Sequence, residues 1–440
     1  MAVNFGFDVD AAVKKLVMTD NVKEKEILAK EIQAKAKDKG IFLASIQDVY
    51  MARGKGKGKN FTVPAMNLRS LTYYLARAIF RTAKRLNAGA FIFEIAKSEM
   101  GYTNQPPVEY SAVILAAAIK EGYSGPVFVQ ADHCQIKATA YFENKAKEVA
   151  GLKDLVADCV AAGFYNIDVD SSTTVVLERP TLNEQQRDNF EICAEMTKFI
   201  REIQPKGLEI SVGGEIGEVG HKNSTVEELT AFMDGYNSSL PKGLTGLSKL
   251  SVQTGTSHGG VVLPDGTIAS VKVDFDTLKA LSKAGQQKYG LGGAVQHGAS
   301  TLPDEAFNKF PEINTIEIHL ATNFQNKILD SKLFPKDLYA KMVEWSKINC
   351  AGERKPKDSE EQFIYKARKR ALGQFKKDIY GLPENIKDGI AAEIEKNFEF
   401  LFKQLNVQDT KDFVTSIIKP VHATIGLRHA QAHLDGEGDD

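Results

Sequence analysis

The stretch PVFVQADHC, residues 126–134, sets an acid and a histidine side by side at the end of an apolar, β-branched run. Such a run, bounded by polar residues, reads as a buried strand of a parallel sheet. Outward from it the same unit recurs: a short β-branched or aromatic run, a polar turn, then an amphipathic stretch. The runs are FTVPAMN (61–67), AFIFEIA (90–96), PVFVQADH (126–133), YNIDVDSS (165–172), LEISVGGEIG (208–217), KLSVQTGTSHG (249–259), GAVQHGAS (293–300) and NTIEIHLAT (314–322). Helical candidates such as LTYYLARAIFRTAKRL and LKDLVADCVAAG separate them. Strands alternating with helices pair in parallel through right-handed crossovers. Eight such units over roughly 260 residues predict an α/β fold closed as a (β/α)8 TIM barrel, with an open doubly wound sheet as the alternative.

The flanks read differently. Residues 1–60 form a helical N-terminal extension and a basic loop: VKEKEILAKEIQAKAKDKG has helical spacing with Gly40 as its stop, and RGKGKGK (53–59) is a solvated turn. Residues 61–330 are the barrel. Residues 331–440 carry further helices that pack on it or meet another subunit, ending in the acidic tail LDGEGDD, which is expected to fray.

With 56 basic and 57 acidic residues the formal net charge is -1, so no global field draws the protein to nucleic acid or anionic membrane. The N-terminus lacks a signal-peptide pattern, and AVILAAAI, the longest apolar run, is too short to span a bilayer. Four scattered cysteines without a C-x-x-C pair suit buried thiols in a reducing, cytoplasmic setting.

In a barrel of this kind chemistry sits where the strands end. There the sequence places Asp132 and His133, Glu215, His258, His297 and His319, drawing four of only eight histidines. Imidazoles and a carboxylate converging from separate strands make a ligand set for zinc or another divalent transition metal. A histidine alone after a strand would be an ordinary hydrogen-bonding residue; several on one rim favour the metal. Glycine follows histidine in SHGG (257–260) and QHGAS (296–300), where close backbone approach and a hydroxyl can cradle a phosphate, although turn shaping alone would also call for glycine. His429 and His433, one helical turn apart, have no third ligand nearby and read as a solvated face.

From about Phe61 to Asn323 the chain resembles the class II, metal-dependent fructose-bisphosphate aldolases, as a distant member. VPAMN, QADHC, GGEIG, SHGG followed by VDFDTLKAL, and QHGAS resemble that family's motifs in order and placement. The resemblance implies a lyase of carbohydrate metabolism, as in glycolysis and gluconeogenesis, that cleaves a phosphorylated ketose, by default fructose 1,6-bisphosphate, to dihydroxyacetone phosphate and an aldehyde. It implies His133, His258 and His297 as zinc ligands, Glu215 at a second or alternative metal position, and Asp132 as the acid/base. Asn67 would contact substrate, and Gly259, Gly298, Ser300 and Thr322 would hold phosphate, with His319 in the same substrate shell. A monovalent cation belongs to the same expectation, and apolar surface on the extra helices suggests a homo-oligomer.

Three departures bear on the substrate. The strand-eight motif reads His319, Leu320, Ala321, Thr322, Asn323, without the family's usual asparagine and acid. Ala96 stands where a serine is expected after the second strand. The loop after the fifth strand, GHKNSTVEE, leaves its proton donor open among His221, Glu227 and Glu228. Competing expectations are another ketose phosphate, a metal-dependent barrel hydrolase, a lysine Schiff-base aldolase through Lys272, or a catalytically silent barrel subunit.

Overall fold

The structure, a computed structural model, describes residues 7–216, 222–255, 263 and 272–428. Nine strands are present: β1 Ile41–Ala44, β2 Val63–Asn67, β3 Ile92–Ala96, β4 Gly125–Gln135, β5 Asn166–Asp170, β6 Ser211–Glu215, β7 Lys249–Val252, β8 Ala294–Gln296 and β9 Glu317–Leu320. The strand order β1-β4-β3-β2-β9-β8-β7-β6-β5, with β4 also bonded to β5, closes β2 to β9 into an eight-stranded ring. Every pairing is parallel. All eight sequence runs fall on barrel strands, and the open sheet is excluded. Strand β1, not anticipated within the N-terminal extension, lies outside the ring against the start of β4 (Ile41↔Gly125).

Local chemistry sets the helix ends. Gly40 adopts φ +70° just after the helix Val22–Asp38, where a side chain would resist the left-handed turn. The helices Leu182–Ile203 and Val226–Ser239 begin with reciprocal caps, Thr181 with Glu184 and Thr225 with Glu228, each offsetting two orphaned backbone donors. No helix among the described residues is long and apolar enough to cross a membrane.

The interior of the ring departs from the branched aliphatic filling usual in such barrels. Glu94 of β3, Gln130 of β4, Asp168 of β5, Lys249 of β7 and Glu317 of β9 are all buried. Lys249 Nζ donates to Gln130 Oε1 (2.7 Å), Asp168 Oδ2 (2.9 Å) and Glu317 Oε1 (2.5 Å). Tyr50, from the helix Gln47–Gly54, donates its hydroxyl to Glu317. Gly213 of β6 makes room for this cluster: a Cβ there would meet Asp168 Oδ1 at 2.3 Å and Lys249 Cε at 2.9 Å. Removing one partner from such a buried pair costs about 3–5 kcal/mol, because the other charge stays desolvated.

Beyond β9 the chain is helical. The helix Glu384–Gln404 lies against Thr72–Arg85, with Glu395 paired to Arg81 (2.6 Å) and Arg85 (2.6 Å). Segment 349–370 does not merely pack outside the barrel. It reaches over the strand ends, anchored by Arg368 on Asp330 (2.5 Å) and Asn326 (2.7 Å).

Candidate active site

A bulge decides the geometry at PVFVQADHC. The register of β4 against β5 breaks between Ala131 and Cys134, then resumes to Gln135. The strand therefore does not end at the Asp-His pair, as its sequence suggests, but kinks there. His133 takes φ +41°, a conformation that a non-glycine residue holds only when its surroundings enforce it. The bulge suspends the strict alternation of faces, so adjacent residues can serve one site. One ligand atom each from Asp132, His133 and His297 lies within 4.8 Å of the others.

Each imidazole is fixed from behind. His133 Nδ1 lies 3.2 Å from Asp170 Oδ2, and Asp170 is itself held by Gln135 Nε2 (2.8 Å) and the Ser172 hydroxyl (2.7 Å). His297 Nε2 lies 3.0 Å from Ser251 Oγ and 3.5 Å from Glu215 Oε2. A histidine with one nitrogen tied to a carboxylate is the arrangement in which imidazole binds metals. The residues present fit a divalent transition ion. Glu215, at the end of β6, lies beside His297 but outside the groups of described residues whose ligand atoms converge within 4.8 Å.

Electrostatics follows from burial and neighbours. Burial pushes the Asp132 carboxyl up, but His133 and His319 outweigh it and hold it well below the usual carboxylate range. Burial disfavours the His133 imidazolium, yet Asp132 and Asp170 raise its pKa well above the ordinary value. Desolvation lifts Glu94 to about 7 and Asp168 to about 6. Burial also acts upward on Glu317, but Lys249 draws it down to about 2.

His319 stacks on His297 with ring centroids 4.0 Å apart, and His133 lies 4.5 Å from His297 on the same measure. Gly298 has φ +68°, the left-handed turn that glycine permits, and leads into the short helix Ala299–Thr301. Ser300 Oγ accepts from Ala321 N (2.7 Å), tying the loops after β8 and β9 together. Thr322 opens the helix Thr322–Leu329. Asn67, buried at the end of β2, donates to Glu99, which also takes Arg69 Nε (2.7 Å) and Ala96 N (2.7 Å). Glu99 thus organises the region where a serine would stand instead of Ala96.

The structure brings Asn67, Asp132, His133, His297, Gly298, Ser300, His319 and Thr322 to one cavity of about 910 Å³. Glu215 adjoins it through His297. His258, Gly259 and His221 lie outside the described residues, as do His429 and His433. Of the loop acids, Glu228 is engaged by Thr225 N (2.8 Å) and Lys222 (2.8 Å), while Glu227 is exposed. Lys272 is likewise exposed.

Sequence reasoning missed Asp170, Glu94 and the cationic roof of Lys355, Lys366, Lys369 and Arg370 that lines the cavity from the C-terminal segment. A signal for the acids was present: Glu94 stands inside the otherwise apolar IFEIA, and NIDVD alternates Asp168 and Asp170 with Ile167 and Val169.

The chain matches the family described as fructose-bisphosphate aldolase class-II over residues 52–382. Among solved structures it is similar to a fructose-bisphosphate aldolase from Campylobacter jejuni, with 15% identity, TM-score 0.48 and coverage of 84% of this chain and 96% of that one. It is similar to the YdjI aldolase of Escherichia coli K12, with 16% identity, TM-score 0.42 and coverage of 76% and 97%. A protein described as a probable tagatose 6 phosphate kinase from Sinorhizobium meliloti 1021 shares the fold at TM-score 0.54, with 13% identity and coverage of 80% and 99%. A search of the curated proteins found no matching relative. The family match spans well over half of the chain, which belongs to the class II fructose-bisphosphate aldolase family.

Proposed function

We propose that the protein is a metal-dependent aldolase that reversibly cleaves a phosphorylated ketose, with fructose 1,6-bisphosphate as the first candidate, to dihydroxyacetone phosphate and an aldehyde. The observation that carries this reading is the convergence of Asp132, His133 and His297 on one buried mouth of the barrel beside Gly298 and Ser300. His133 and His297, with Glu215 alongside and His258 in the role the resemblance gives it, would hold zinc or another divalent transition ion. That ion supplies Lewis acidity to the ketone oxygen.

The chain's own groups do the rest. Asp132, held anionic by its neighbours, takes the proton of the hydroxyl on the carbon whose bond opens and returns one in the reverse direction. The turn at Gly298, the Ser300 hydroxyl and the start of the helix at Thr322 offer donors for the phosphate of the ketone half. The roof cations Lys366, Lys369 and Arg370 suit a second anionic end. Buried, unbridged cysteines accord with a reducing cytoplasm, and the exposed Ile348 and Phe142 side chains with self-association.

The test is a substrate panel: triose phosphate release from fructose 1,6-bisphosphate, from ketose monophosphates and from unphosphorylated ketoses, with Asp132→Ala as control. Cleavage of a phosphorylated ketose that is lost in the variant is the expected result. No cleavage of any phosphorylated ketose by metal-loaded protein contradicts the proposal.

A further inference from the structure

The anionic clusters of the barrel come in two kinds. Asp168 and Glu317 surround Lys249 Nζ, a cation supplied by the chain itself, at 2.9 and 2.5 Å. Beside it, Glu94, Asp132 and His319 form a second convergence whose ligand atoms also lie within 4.8 Å of one another, and no lysine or arginine enters it among the described residues.

The atoms facing one another there are an imidazole nitrogen and two carboxylate oxygens. His319 Nε2 donates to Glu317 Oε1 at 2.7 Å. The opposite nitrogen, Nδ1, lies 3.0 Å from Glu94 Oε2 and 3.2 Å from Asp132 Oδ1, yet makes an aligned hydrogen bond to neither. His319 is only 5% exposed and Glu94 is fully buried, and Glu94 Oε1 and Asp132 Oδ1 also lack hydrogen-bond partners. With no aligned hydrogen bond among them, these three buried atoms call for positive charge at their centre, either a proton on Nδ1 or a bound ion.

The spacing suits a metal ion. Donor atoms bound at about 2.1 Å and at right angles sit about 3.0 Å apart. The supports are also those of a metal site: Glu317 ties the far nitrogen of His319, and Gln130 Nε2 donates to Glu94 Oε2 at 3.1 Å. We propose that Glu94, Asp132 and His319 form a second divalent-metal site, distinct from the one at His133 and His297 and joined to it by the shared Asp132 carboxyl. Two carboxylates and one imidazole favour a first-row ion at home with oxygen and nitrogen, such as manganese, cobalt or zinc. The ion would engage Asp132 through Oδ1, leaving its other oxygen for the substrate proton. The inference rests on donor atoms and not on the reaction, so it stands or falls separately from the aldolase reading.

The experiment is metal stoichiometry. Chelator-stripped full-length protein is dialysed against Co²⁺, and separately Mn²⁺, and bound metal is counted by mass spectrometry, with the cobalt d–d absorption recorded. Circular dichroism checks that Glu94→Gln and His319→Asn are folded. The expected result is two equivalents per chain in the unaltered protein, falling to one in each variant, with one component of the cobalt spectrum lost. One equivalent in the unaltered protein that both folded variants retain, or two retained in both variants, overturns the proposal. In the first case His319 is better described as an imidazolium clamped by carboxylates.

Discussion

His133 Nδ1 and Asp170 Oδ2 lie 3.2 Å apart, so the imidazole is aimed by an acid one strand away. Without that acid the ring could rotate and its tautomer would be unset. Asp170→Asn should therefore weaken metal binding by about 10- to 100-fold, the usual cost of losing such a support, while leaving the fold intact. Competition against a chromogenic chelator measures it. Unchanged affinity would mean that the bulge alone orients His133.

Asp132→Asn preserves shape and removes the proposed base. The expected loss in kcat is about 10²- to 10⁴-fold, with KM nearly unmoved, since proton transfer rather than ground-state binding is lost. Steady-state kinetics separate the two. A rise in KM at constant kcat would make Asp132 a binding residue.

Much of this was legible in the residues, for physical reasons. The barrel could be read because β2 to β9 sit on short β-branched or aromatic runs separated by amphipathic crossovers, even though β3, β4, β5, β7 and β9 each also bury a charged or amide side chain. Asp132, His133, His297 and His319 could be placed because strand ends face the site. The bulge at His133 was not legible, since a positive φ leaves no mark in a histidine's identity. The role of Lys249 was hidden as well. A charge within a run signals burial among partners, but the partners Asp168 and Glu317 come from other strands. The roof of Lys366, Lys369 and Arg370 was missed because helical periodicity shows that a face is covered, not what covers it.

The roof predicts a split in kinetics. Lys369→Ala and Arg370→Ala should each raise KM for a bisphosphate by about 10- to 100-fold, taking about 1.5–3 kcal/mol for a lost charge-assisted hydrogen bond. kcat should change little, and a monophosphate lacking the distal group should be nearly indifferent. Equal effects on both substrates would place these cations outside the binding of the distal end.

Lys249→Met leaves Asp168 and Glu317 buried without their cation. At neutral pH the expected destabilisation is about 3–5 kcal/mol by urea unfolding. The sign with pH follows from Glu317: its folded pKa, about 2, lies below the ordinary 4.5. Its contribution is therefore present above about pH 4.5 and is lost as pH falls through about 2. The gap between Lys249→Met and the parent protein should narrow over that window, and a gap independent of pH would exclude the ion pair as its source.

The central claim is that the cluster at His133 and His297 makes this barrel a metal-dependent aldolase. The most direct measurement follows triose phosphate release from fructose 1,6-bisphosphate before chelation, after exhaustive chelation, and after zinc or another divalent transition ion is restored. The account predicts cleavage that disappears with the metal, returns with it, and does not return in His133→Ala or His297→Ala. Cleavage that survives exhaustive chelation would contradict it.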